Sequence, residues 1–260
     1  MPEVAVYAPG TVNWVDLASK DLEKSKTFYS KLFGWQAQTI EDPQAGGYTM
    51  FLIDGKQASA LGPNQSEQQP PSAWSIYFAT EDAKKTAQAV KDAGGKVVAE
   101  PMDVMGQGTM AVFQDPAGAF FSVWQPGIHK GFEIQHGQPN TYAWAELNTR
   151  GIDKARDFYK KVFGWTSKTS PMGPNMPDYT EFQLDGTSIV GGLEMTMQPA
   201  NMPPYWMIYI ASADVDASTK KVKELGGNVM VEPHDFPGGR FSIVTDPQGG
   251  AFGILTMKQA

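Results

Sequence analysis

The stretch FYSKLFGW, residues 28–35, recurs as FYKKVFGW at residues 158–165. The match extends along most of the chain. NWVDLASKDLEKSKTFY (13–29) lies on AWAELNTRGIDKARDFY (143–159), and YTMFLIDG (48–55) on YTEFQLDG (179–186). WSIYFA (74–79) lies on WMIYIA (206–211), KDAGGKVVAEP (91–101) on KELGGNVMVEP (223–233), and VFQDPAGAFFSVW (112–124) on IVTDPQGGAFGIL (243–255). The offset stays between 130 and 132 positions, so the chain is two homologous modules. Two copies of so long a period do not make a solenoid. We expect a first module over residues 1–126, a linker over 127–139, whose surroundings are polar and contain Gly and Pro, and a second module over 140–260.

Each copy reads in the same order. WVDL alternates apolar and polar residues, as a strand does. Leu22, Ser25, Phe28, Tyr29, Leu32 and Phe33 fall on one face of a helix running from Asp21 to Phe33, which Gly34 stops. YTMFLID and Ala58–Leu61 continue as strands, followed by WSIYFAT. A second helix over Ala83 to Ala93, capped by Thr80 or Asp82, ends at Gly94 and Gly95. Two more strands lead to the turn DPAG and a last strand, FFSVW. In this reading Phe28, Tyr29 and Trp35 are core residues.

Composition narrows the function classes. The 260 residues are 41% hydrophobic, carry a formal net charge of −7 and include no cysteine. Disulfides and thiolate chemistry are excluded. An acidic chain without a long basic run is a poor partner for nucleic acid or an anionic membrane. No apolar run reaches membrane-spanning length, and MPEVAVYAPG has no signal-peptide character, so we expect a cytoplasmic protein. Phosphate-binding glycine loops, a nucleophile elbow and nucleotide signatures are not recognisable.

The order strand, DLEKSKTFYSKLFGW, strands, helix ending in AGG, strand, DPAGAFFSVW resembles the vicinal oxygen chelate superfamily of glyoxalases, extradiol dioxygenases and bleomycin-resistance proteins. GIDKARDFYKKVFGW and DPQGGAFGIL repeat the resemblance in the second module. The tandem form is similar to two-module actinobacterial proteins described as glyoxalase-like or as hydroxylases. The resemblance implies an α+β fold: two tandem βαβββ modules whose mixed sheets curl around a cleft, with helices on the outside. It also implies where a metal would be held: seven residues before the residue that opens the first helix, and seven after the Asp of the DP turn. Those positions are Trp14 and Ser122 in module one, and Trp144 and Gly253 in module two. An indole N–H donates hydrogen bonds and cannot ligate, so we expect no metal site and no cofactor. His129 and His136 fall in the linker and His234 in a loop, where they read as solvated residues.

If Trp14 faces the cleft, alternation brings Asp16 with it, and likewise Glu146 and Asn148 with Trp144. Phe120, Ser122 and Trp124 of the last strand join them, as do Tyr179, Glu181 and Gln183 of module two. The expected ligand-binding set is Trp14, Ser122, Trp124, Trp144, Asn148 and Glu181, with Glu146 and Asp16 as candidate acid–base residues. Gly253 opposite Ser122 predicts a deeper pocket in module two. The main reading is a metal-independent protein that binds a planar or aromatic metabolite, with no nucleic-acid or membrane partner, either a monomer with its modules paired in cis or a homodimer. The alternative is a glyoxalase-like lyase or isomerase, or a hydroxylase, using Glu146 or Asp16 as general base. A third reading is a scaffold with a vestigial cleft. In the bland reading of the carboxylates, both bond to Trp74, Trp206 or backbone, and the two cleft indoles plug the module interface.

Overall fold

The computed structural model describes residues 7–64, 71–173 and 177–258. Module one runs β1 (Val12–Ser19), α1 (Leu22–Phe33), β2 (Gln36–Thr39), β3 (Thr49–Ile53), β4 (Lys56–Pro63), β5 (Ala73–Ala79), α2 (Ala83–Asp92), β6 (Lys96–Asp103), β7 (Gly108–Gln114) and β8 (Phe120–Pro126). Module two repeats it as β9 (Tyr142–Thr149), α3 (Ile152–Phe163), β10 (Thr166–Ser170), β11 (Tyr179–Leu184), β12 (Thr187–Glu194), β13 (Tyr205–Ala211), α4 (Val215–Glu224), β14 (Asn228–Phe236), β15 (Gly239–Thr245) and β16 (Ala251–Met257). The two eight-stranded sheets are ordered β2-β3-β4-β1-β5-β8-β7-β6 and β10-β11-β12-β9-β13-β16-β15-β14. The βαβββ unit therefore occurs twice within each module, and β1 with β5, like β9 with β13, joins the halves antiparallel. In each half the first and last strands run parallel, as β1 with β4 and β5 with β8. No helix among the described residues is long and apolar enough to cross a membrane.

Local chemistry sets the helix ends. Asp21 accepts from the Lys24 amide at 3.1 Å, a side-chain N-cap. Its counterpart in module two is Gly151, which has no side chain to give. Glu194 of β12 replaces it, its carboxylate accepting from the amides of Gly151 and Ile152 at 2.8–2.9 Å. Gly34 and Gly164 close α1 and α3 in the left-handed region, φ 73° and 74°, where a Cβ is penalised.

The helix-bearing faces of the two sheets meet, and one hydrophobic core runs through both modules. The repeated octet builds that junction. Tyr29 donates to Asp246 of the other module's DP turn at 2.9 Å, and Tyr159 donates to Asp115 at 3.2 Å. Trp74 and Trp206 donate to those same tyrosine oxygens at 3.2 and 3.1 Å. Trp35 and Trp165 reach across to the carbonyls of Asn140 and Gly10. Asp115 and Asp246 spend their other carboxylate oxygen on the amides of their own turns. Two aromatic rings, a buried carboxylate and a turn thus lock together twice, once in each direction. The rings that meet between the modules are Tyr29 and Phe33 on Phe252, Phe78 on Phe163, Trp165 and Trp206, and Phe121 on Phe158, Tyr159 and Phe163. Trp144 packs in a separate cluster, while Trp14 touches this core only through Phe132, which stacks on Tyr142, so the bland reading of both indoles as an interface plug fails for Trp144.

The segment after β8 differs from the expected solvated linker. Phe132 is only 2% exposed and stacks on Tyr142 at 5.4 Å. His136 is packed among Tyr7, Phe132 and Tyr142, and burial pushes its ring down to about 4. Reading His129 and His136 as solvated was wrong. Local polarity concealed that the segment packs between module one and the start of β9.

Candidate functional site

The alternation of β1 and β9 divides their side chains as their pattern demands. Val15, Leu17, Ala145 and Leu147 enter the shared core, while alternation and their bonds turn Trp14, Asp16, Trp144 and Glu146 to the opposite, concave faces, where Phe132 links Trp14 to the same buried cluster. On β5 and β13 the larger set points to the core: Trp74, Ile76, Phe78 and Trp206, Ile208, Ile210. That leaves Ser75 and Tyr77, or Met207 and Tyr209, beside the carboxylates.

In module two Glu146 is 8% exposed. Asn148 Nδ2 donates to its Oε1 at 3.2 Å and the Tyr209 hydroxyl at 3.5 Å. The Tyr179 hydroxyl completes the cluster and accepts from Trp144 Nε1 at 2.8 Å. Burial pushes the Glu146 carboxyl up to about 7, against the opposing pull of its Asn148, Tyr179 and Tyr209 bonds. Tyr179 and Tyr209 are raised in turn, by burial first and by the neighbouring carboxylate second. Around this polar centre lies an apolar patch in which Met207, Tyr209 and Leu255 are buried, while Trp144, Tyr205, Phe236, Phe241 and Ile243 are half-buried.

Module one repeats the centre. Tyr48 and Tyr77 donate to Asp16 Oδ2 at 3.0 and 3.1 Å, and Trp14 Nε1 donates to the Tyr48 hydroxyl at 3.3 Å. Desolvation raises Asp16 to about 6. Both carboxylates are therefore held by tyrosines of their own face. The expectation that they bond Trp74 or Trp206 fails because those indoles point into the core.

Most of the expected site residues come together. Trp14, Ser122 and Trp124 are buried on module one's concave side, Ser122 paired in register with Tyr77. Trp144, Glu146 and Asn148 meet in module two. Glu181 stands two residues along β11 from Tyr179, half-buried near its open side and bonded to none of this cluster. Phe120 is largely exposed and lines nothing. Gly253 does not deepen the pocket. A Cβ there would lie 2.0 Å from Tyr209 Cδ1, so the glycine admits the tyrosine ring rather than empty space. Gly191 does the same for Tyr179, whose hydroxyl lies 2.0 Å from where its Cβ would be. Sequence reasoning gave no part to Tyr77 and Tyr209. Their alternation against Trp74 and Trp206 in WSIYFA and WMIYIA was the signal that could have found them.

The donor set does not suit a metal ion. Among the described residues no three His, Cys, Asp or Glu side chains gather as ligands. Asp16 and Glu146 each stand alone among phenols, and the indole N–H groups beside them are already donors to tyrosine oxygens.

Comparison with known proteins agrees with this architecture. The family model of the Glyoxalase/Bleomycin resistance protein/Dioxygenase superfamily matches residues 11–123 and again 141–254. The anthracycline biosynthesis protein DnrV of Streptomyces peucetius is 39% identical over 268 residues, covering 97% of this chain and 95% of its own. The Mn(II)-bound glyoxalase from Novosphingobium aromaticivorans superposes with a TM-score of 0.65 at 19% identity, covering 95% of this chain and 82% of that one. A 2,2',3-trihydroxybiphenyl 1,2-dioxygenase from Sphingomonas wittichii gives 0.65 at 15%, covering 97% and 92%. At these identities the two structures share the fold alone.

Proposed function

The chain belongs to the Glyoxalase/Bleomycin resistance protein/Dioxygenase superfamily, and from that premise we propose that it binds a planar aromatic metabolite on module two's concave face without a metal ion. Modules 1–126 and 140–260 pair in cis within a cytoplasmic chain. The observation that carries this reading is the Glu146 centre. A carboxyl poised near neutrality and three neutral donors, with no opposing cation among the described residues, lie at the base of a half-open aromatic surface. Such a site accepts a hydroxyl or carbonyl of an uncharged guest while Trp144 and Tyr205 cover its ring plane. DnrV, whose name places it in anthracycline biosynthesis, supports a polycyclic guest.

Titration with 1-hydroxyanthraquinone tests the reading through tryptophan fluorescence. Saturable quenching that Trp144→Ala abolishes is expected. A linear, unsaturable response in the unmodified chain would overturn it.

A second reading is favoured by the same carboxyl. With its pKa near 7, Glu146 is suited to take a proton from a bound phenol or carbon acid and return it, as a lyase or isomerase requires. Glu146→Gln would then bind the guest and lose turnover. Unchanged turnover would remove Glu146 from any mechanism.

A further inference from the structure

The two concave faces carry one constellation but differ in cover. In module two no ring of the described residues pairs with Trp144, which stays half-buried. In module one the chain leaves β8 and folds back over its own concave face. His129 meets Trp14 edge-on at 4.5 Å and Trp124 at 5.6 Å, and Phe132 lies tilted on Trp14 at 5.2 Å. Trp14 is only 4% exposed as a result.

The strap is pinned by its backbone. Trp124 Nε1 donates to the His129 carbonyl at 3.0 Å, and the amides of His129 and Phe132 donate to Gln107 and Asn13 carbonyls at 3.1 and 3.0 Å. Beyond them, Gln57 and Glu133 exchange two bonds of 2.9 Å. Gly131, at φ +113°, passes so close to β1 that a Cβ there would lie 2.4 Å from the Asn13 carbonyl. By contrast, His129 Nε2 is buried with no partner. An imidazole held that way is neutral and serves as a flat ring.

We infer that module one holds a second binding site of the same class, and that residues 127–133 occupy it as a built-in ligand. The rings of His129 and Phe132 stand where a guest would lie on Trp14. They indicate the chemistry module one's face accepts: an uncharged planar aromatic or heteroaromatic group reaching at least as far as these two rings along the indole. The inference rests on the reading of module two as a binding site. It adds that a chain with two such faces presents one.

Stoichiometry tests it in the full-length chain, with 2-naphthol as probe and isothermal titration calorimetry as readout. The unmodified protein is expected to bind one equivalent. The double variant His129→Gly, Phe132→Gly is expected to bind two, and one again when Trp144→Ala is added. Gly131→Ala keeps both rings but forces the strap off β1, so it is expected to open the second site even if the double variant does not fold. One equivalent in the unmodified chain and in every folded strap variant would overturn the inference while leaving module two's function intact. No binding to the unmodified chain and one equivalent to a strap variant would support the inference and defeat the module two reading. No binding to any of them would defeat both.

Discussion

Replacing Glu146 by glutamine changes the pH dependence of stability in a direction and size that follow from its surroundings. The carboxyl titrates near its ordinary value of 4.5 in the unfolded chain and at about 7 when folded, because burial beneath the tyrosines disfavours the anion. Between those values the folded state holds the proton that the unfolded state has released. Stability is therefore full below pH 4.5 and declines as pH rises through 7. From these two values the loss is about 1 kcal/mol at pH 5 and about 3 kcal/mol at pH 8. Glutamine has nearly the same shape, keeps an oxygen for Asn148 and Tyr209, and does not titrate. Urea unfolding of both proteins, run at pH 5 and at pH 8, should show the variant gaining about 2 kcal/mol on the unmodified chain between the two pH values. A gap that stays constant across this range would mean that Glu146 is ionised and solvated when folded, and the argument from burial would fail.

Three further outcomes follow from particular contacts. Tyr29→Phe strands both Trp74 Nε1 and Asp246 Oδ2 inside the module junction, so urea unfolding should show a loss of about 1–3 kcal/mol, matched by Tyr159→Phe; no loss in either would deny the reciprocal clasp. Gly253→Ala places a methyl against the Tyr209 ring, so the chain should fold yet lose guest affinity at least about tenfold by fluorescence titration as Tyr209 leaves Glu146, and unaltered affinity would count against that packing. The His129 ring, pushed down to about 4 by burial, should remain neutral at pH 6 by nitrogen-15 NMR; protonation near pH 6.5 would mean that the strap does not cover it.

Much of this was legible in the sequence, because the repeat and the period-two alternation act locally. FYSKLFGW and FYKKVFGW marked two modules, and the strand pattern put Trp14, Asp16, Trp144 and Glu146 on one kind of face and Val15 and Leu17 on the other. The same alternation ran out where contact is set by distant chain. Nothing local in residues 28–35 says that Tyr29 bonds Asp246, more than two hundred positions away. Gly253 read as empty space because its occupant, Tyr209, comes from another strand. The segment after β8 looked polar, and its few apolar and imidazole rings gave no hint that they cap module one. Its burial depends on the curvature of the sheet, which composition does not encode.

The central claim is that module two's concave face receives an uncharged aromatic guest unaided by an ion, while module one's is already filled by its own chain. A crystal structure grown with 1-hydroxyanthraquinone and a divalent cation tests it most directly. The account predicts one guest, its rings against Trp144 and its hydroxyl within hydrogen-bond reach of Glu146, with His129 and Phe132 still seated on Trp14. A guest on Trp14 with module two bare, or a cation coordinated on either concave face, would contradict it.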